Sequence, residues 1–139
     1  MGQKVHPVGF RIGYNRGWQS KWIIAEKKDF AANVYEDYKI RKYIKDYYKH
    51  AFISEIQIEK RDRGNSIIIN ILAEKPGYLI GKGGEEIDNL IKSLEFETGK
   101  KVAINITELQ NADLNAEIVA QRIAFMLERR VFFRKAMND

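Results

Sequence analysis

The sequence predicts an α+β domain, with helices packed on one face of a three-stranded sheet, and three observations carry that reading. Residues 54–59 and 101–107 alternate polar and apolar side chains, the period of a strand buried on one face. Residues 66–73, with Ile67, Ile68, Ile69, Ile71 and Leu72, form a largely β-branched run that suits a well-buried partner strand. Residues 34–49 and 85–98 instead repeat apolar side chains at helical spacing. Elements of both kinds bury their apolar faces against one another in layers.

Taken in order, residues 1–22 read as an irregular arm. Gly2, Gly9, Gly13, Gly17 and Pro7 interrupt any period, while Lys4, His6, Arg11, Arg16 and Lys21 are interleaved with Phe10, Tyr14, Trp18 and Trp22. Cations and flat rings together suit phosphate contacts and base stacking. The same rings would also serve as a lid folded back onto the domain. The first long helix, residues 34–49, sets Val34, Tyr38, Arg41, Ile44 and Tyr48 on neighbouring turns, and Lys39, Arg41, Lys42, Lys45 and Lys49 make it basic. A polar turn over residues 61–65 joins the first two strands.

Pro76-Gly77 closes the second strand, Tyr78-Leu79-Ile80 make one short helical turn, and a glycine loop leads into the helix at 85–98. That helix carries Ile87, Leu90, Ile91 and Leu94 on one face and acids in its first turn, with Gly99 as its stop. The third strand presents Val102, Ile104 and Ile106 on one side. A last helix, residues 115–130, buries Ile118, Val119, Ile123, Met126 and Leu127.

Composition narrows the function. A chain of 139 residues with 45% hydrophobic content supports one compact domain with appendages. Cysteine is absent, which excludes disulfides, thiolate zinc sites and cysteine nucleophiles and fits a reducing compartment. No run reaches the roughly 18 apolar residues of a membrane span, and the first residues lack the apolar core of a secretory signal. The chain therefore reads as a soluble, unexported protein. Net charge is +5, unevenly spread. Residues 1–33 hold six Lys/Arg against two acids, residues 128–139 four against two, and residues 34–127 fourteen against fifteen. A near-neutral centre with basic ends suggests arms that touch a polyanion, although ordinary solvated lysines would give the same count.

Ile80-Gly81-Lys82-Gly83-Gly84 is the most informative stretch. Three glycines in four residues permit positive φ and close approach of a ligand backbone. Placed before a helix, such a loop can aim N–H groups and the positive helix end at phosphate, with Lys82 adding a cation and Ile80 and Ile87 flooring a groove for bases. A plain tight turn between packed helices is the other reading of the loop taken alone. A Walker loop is excluded because Gly83 follows Lys82 where Ser or Thr must bind magnesium. A dinucleotide fingerprint fails because Glu86 stands in the third glycine's place. His6 and His50 are the only histidines and lie in different segments, so neither a metal cluster nor a triad is suggested. Glu85, Glu86 and Asp88 read as partners of the helix dipole. No catalytic residue, metal site or cofactor is expected.

Gly81-Lys82-Gly83-Gly84 between two helical segments resembles the GXXG loop of KH domains, which clamps about four nucleotides by their backbone. Lying after two strands, it resembles the type II arrangement. The opening block from Met1 to Gly13 is similar to the amino terminus of the bacterial and organellar small-subunit ribosomal protein S three family. Trp18-Gln19-Ser20-Lys21-Trp22, Lys39-Ile40-Arg41, the block from Pro76 to Gly84 and the block from Leu127 to Met137 match that family's pattern in the same order.

The resemblance implies a type II KH domain at 34–127, preceded by a basic, aromatic-rich arm at 1–33. A basic linker at 128–139 would follow, leading toward a carboxyl-terminal α/β domain that this chain lacks. It implies a structural constituent of the small-subunit head, in the cytoplasm or an organelle. Its partners would be small-subunit rRNA, mRNA at the entry channel and neighbouring head proteins, with no membrane and no small-molecule substrate. RNA contacts would come from Gln3, Lys4, His6, Arg11, Arg16, Trp18, Lys21, Trp22, Gly81, Lys82, Gly83 and Gly84. Arg130, Arg134 and Lys135 would border the mRNA entry, with Asn138 standing where the family usually has a basic residue. A free-standing KH chaperone or regulator of RNA is the alternative.

Overall fold

The computed structural model describes residues 2–23, 27–61 and 64–138. Its centre is a four-stranded sheet of order β1-β2-β3-β4, in which β1 is Ser20–Lys21, β2 Ile53–Arg61, β3 Ser66–Ala73 and β4 Lys101–Glu108. β2 and β3 pair antiparallel, and β3 and β4 parallel through all eight positions from Ser66↔Lys101 to Ala73↔Glu108. The β-branched run thus becomes a central strand, paired on both sides. Asp62 and Arg63 of the expected turn lie outside the described residues, and Gly64 supplies its positive φ of 94°.

The registers Ile56↔Ile71, Ile58↔Ile69, Ile67↔Val102 and Ile69↔Ile104 set one face of the sheet with branched aliphatics. That face is the core. Ile58, Ile67 and Ile69 are fully buried, and helix α2 (Lys27–Tyr47) lays Ile40 and Ile44 on them, while helix α4 (Glu85–Thr98) adds Leu90 and Leu94. Burial of each such side chain stabilises the fold by about 1.5–3 kcal/mol before entropy is counted. Glu55, Gln57, Ile68, Asn70 and Leu72 point to the other, half-exposed face. A bulge between Ile53 and Glu55 keeps Ile53 on the core side at the strand's start.

The expected α+β architecture is met, with several differences in detail. The sheet gains β1, a two-residue strand parallel to β2 through Ser20↔Ile58 and Lys21↔Glu59, so the arm is not wholly irregular. The arm also opens with helix α1 (Pro7–Arg11), because Pro7 presets φ at a position that needs no N–H donor, and His6 Nδ1 accepts from Gly9 N at 3.2 Å. Helix α2 starts at Lys27, seven residues before the expected helix, so the division drawn at 33/34 falls inside it. Its buried stripe is Asp37, Ile40 and Ile44, continued by Tyr48 just past its end, whereas Val34 and Tyr38 are 45% and 57% exposed. Residues 133–138, within the expected basic linker, form a short helix, α6 (Phe133–Asn138), held by Ala136 at 2% exposure.

Between these elements, helix α3 (Gly77–Ile80) anchors its turn through fully buried Leu79. Helix α4 ends as expected at Gly99 (φ 66°), whose N–H donates to Glu95 O at 2.8 Å. Helix α5 (Ala116–Glu128) is capped by Asn115, whose side-chain oxygen accepts from Glu117 N and Ile118 N. Ile118 is fully buried, Val119, Ile123 and Met126 are half-buried, and Leu127 is 46% exposed rather than buried.

Candidate nucleic-acid interface

The glycine loop grows out of the packing on either side of it. Leu79 fixes α3 to the core, and Gly81 N donates to Gly77 O at 3.0 Å, closing that turn. Gly81 then takes φ 72° and ψ −176°, a conformation essentially reserved for glycine. A Cβ there would stand 2.5 Å from Glu86 Cγ and 2.7 Å from Glu86 Cβ. Gly83 (φ 67°) and Gly84 (φ 88°) are left-handed with open space around them, so their need for glycine is conformational alone.

The result is a loop whose backbone lies open at Gly83 and Gly84. Lys82 and Gly83 are exposed, and the N-cap of α4 is Gly84, which has no side chain to cap it. The first-turn acids Glu85, Glu86 and Asp88 face the helix N-terminus as dipole partners. Ile80 is 42% exposed and Ile87 half-buried, an apolar border on both sides of the loop.

The arm is docked through a buried ion network. Trp22 Nε1 donates to Asp37 Oδ2 at 2.7 Å and Ser20 Oγ to the same oxygen at 2.9 Å. Lys60, its side chain 2% exposed, lies 2.8 Å from Asp37 Oδ1 and 2.7 Å from Glu36 Oε2. Lys100 reaches Glu36 at 2.7 Å. Arg41 donates to Ile56 O, and its Nη2 donates to Gln19 O at 3.0 Å and Ser20 Oγ at 2.9 Å. Burial lowers the Arg41 pKa from its ordinary value, against the opposing pull of Asp37 and Glu55.

The candidate residues consequently separate. Trp22 is half-buried, its ring 5.7 Å from Phe30 with Lys60 Nζ 4.9 Å above it, so this ring folds back as a clamp. Lys21 pairs with Glu59 at 3.4 Å. His6 spends Nδ1 on its cap, and Arg11 donates to Pro7 O at 2.8 Å. Gln3, Lys4, Arg16 and Trp18 are exposed, Trp18 beside a cleft of about 1030 Å³ that Phe30, Tyr38 and Arg41 also line. Different elements hold the arm and the loop: the arm lies at the β1 edge, whereas the loop follows central β3.

At the carboxyl end Arg130 (φ 61°), Arg134 and Lys135 are exposed, beside the stacked rings of Phe132 and Phe133. Sequence reasoning missed Asp37 as the arm's anchor. Its signal is a lone carboxylate on the apolar stripe of a helix, four positions before Arg41. Among the described residues, no group of three or more His, Cys, Asp or Glu is placed to hold a metal, and no helix is long and apolar enough to cross a membrane.

Two strands, a helical turn, a bare glycine loop, a helix and a further strand parallel to the second define a KH-type module. The chain belongs to the KH domain family, whose model matches residues 39–114. It is 51% identical over its whole length to the small ribosomal subunit protein uS3 of Lysinibacillus sphaericus. It is also 49% identical to that of Pelotomaculum thermopropionicum and 50% identical to that of Halalkalibacterium halodurans. The resemblance read from the sequence blocks is borne out by these relatives, none of which bears an enzyme's name. The chain spans 62%, 59% and 62% of their respective lengths, about three fifths.

Proposed function

We propose that this chain is a structural, RNA-binding constituent of the small ribosomal subunit. The observation that carries the reading is the loop itself: three positive-φ glycines and exposed Lys82 ahead of a helix whose N-cap, Gly84, has no side chain to cap it. Such a loop offers N–H groups and a cation to a ribose-phosphate backbone while leaving room for it. The similarity to proteins named uS3 over all 139 residues directs that chemistry to rRNA.

In this reading the arm is a second contact, through Gln3, Lys4, Arg16 and Trp18, with Trp22 and Lys21 holding it in place. The protein sits in the subunit head beside neighbouring head proteins, on ribosomes of a bacterial cytoplasm or an organelle. Arg130, Arg134 and Lys135 border the path by which mRNA enters.

Sucrose-gradient fractionation of a lysate at low and moderate salt tests the assignment. The chain is expected to travel with the small subunit at both. If it stays at the top of the gradient while still binding RNA, it is a free-standing KH protein instead. Unchanged RNA affinity in the double variant Gly83→Asp, Gly84→Asp would overturn the loop's part.

A further inference from the structure

One surface is accounted for neither by the loop nor by the basic carboxyl segment. His50 lies exposed in the single 3-10 turn Lys49–Ala51 that follows α2. Its ring is 6.4 Å from that of Tyr78 in α3 and meets Phe125 of α5 edge-on at 5.4 Å. Phe125 in turn meets Phe52 edge-on at 5.9 Å. Each of these last two rings carries a cation: the Arg129 guanidinium lies 4.1 Å above Phe125, and Lys75 Nζ lies 4.9 Å above Phe52.

The series has two ends that matter. Tyr78 belongs to the turn that closes on Gly81, and Arg129 directly precedes Arg130. Packing explains Phe52, which is 6% exposed, and half-buried Phe125. It does not explain Tyr78 at 59% exposure, nor why exposed His50, Lys49, Lys75 and Arg129 gather on the same side. Nearby carboxylates are largely engaged: Arg122 holds Glu74 at 2.8 Å and Lys45 holds Glu117 at 3.1 Å, while exposed Glu128 stands at the border. Open rings interleaved with cations are what a flexible polyanion with stacking bases requires.

We infer that this surface is a further RNA-binding site, a track for single-stranded RNA running from the glycine loop across Tyr78 and His50 to Arg129. Phosphates meet Lys49, Lys75 and Arg129, and bases stack on the exposed rings. The inference rests on RNA binding by the loop and lengthens the bound strand beyond the roughly four nucleotides that such a loop clamps.

Fluorescence anisotropy with labelled oligouridylates of about four and about twelve nucleotides tests it, lengths that bracket the loop and the track. The unaltered chain binds the longer strand more tightly. Lys49→Ser with Lys75→Ser, both at exposed positions, lowers the salt slope for the longer strand by about 1.4, two single-strand phosphate contacts. His50→Leu, which keeps the contact with Phe125 apolar, weakens the longer strand about fivefold or more. Neither change alters binding of the shorter strand, and the melting temperature falls by no more than the lost Lys75–Phe52 contact accounts for. An unaltered chain that binds the short strand and gains nothing from the long one overturns the track alone. So do variants that match it on both lengths. A chain that binds neither strand overturns the loop reading, and the track with it.

Discussion

Trp22 and Asp37 are joined by an indole N–H donated to a carboxylate oxygen at 2.7 Å, and that bond ties the arm to the helix behind the sheet. The same carboxylate accepts Ser20 Oγ–H and faces Lys60 Nζ at 2.8 Å. Residues from the arm, from α2 and from β2 therefore share one buried charge. The Lys60 side chain is 2% exposed and lies between Asp37 and Glu36, and a buried ion is costly unless paired, so the network is a condition of the arm's placement as well as a consequence of it.

Asp37→Ala is accordingly expected to lower stability by about 3 kcal/mol, the cost of breaking a buried pair while its partner stays inside. Asp37→Asn, which keeps an oxygen for Trp22, is expected to cost less. Urea unfolding measures both, and equal midpoints for the three proteins would show that the carboxylate's charge contributes nothing.

Gly81 and Gly83 differ in what they forbid. Gly81→Ala meets both a disfavoured backbone and the Glu86 side chain, so it is expected to cost about 3 kcal/mol or more. Gly83→Ala meets only its positive φ, at about 1 kcal/mol. Thermal melts of the two variants should rank in that order, and the reverse order would contradict the loop geometry described.

Tyr48 predicts an alkaline limit. Burial first, then the neighbouring charge of Glu86, pushes its phenol up to about 12, and its O–H donates to Glu86 O at 3.3 Å. A folded-state pKa raised above the ordinary value near 10 gives stability that is complete below about pH 10 and lost as pH rises toward about 12. Tyr48→Phe removes the ionisable group. The stability difference between the two proteins should shift across that window and remain constant at lower pH.

Lys82 is exposed, so its loss should be felt only by a ligand. Lys82→Ala is expected to leave the urea midpoint unchanged and to lower the salt slope of RNA binding by about 0.7–0.9, one phosphate contact. A full slope with the variant would remove Lys82 from the interface.

Much of this architecture is legible in the sequence. Strands β2, β3 and β4 announce themselves by alternation or by branched runs, and α4 by its apolar face together with Gly99. The glycine loop was legible because its residues are contiguous and their spacing excludes the other phosphate loops. Strand β1 was not, since two residues have no period and its pairing with Ile58 and Glu59 is set wholly by tertiary contact. The early start of α2 was hidden by residues 27–33, which carry little apolar repeat. Trp22 looked like a stacking ring because nothing local says that an acid fifteen residues later will receive its N–H. Interfaces made from distant residues leave a weaker trace in sequence than loops made from adjacent ones.

One backbone bond offers a private view of the arm. Ile58 N–H, in the middle of β2 on the edge that faces β1, donates to Gln19 O at 2.9 Å and not to β3. Its partner on that edge is thus supplied by the docked arm. Amide hydrogen exchange at Ile58 then reports the opening of the arm, while the amides bonded to β3 report opening of the sheet itself. If RNA holds the arm down, exchange at Ile58 slows on binding, and this one nucleus counts how often the arm lets go.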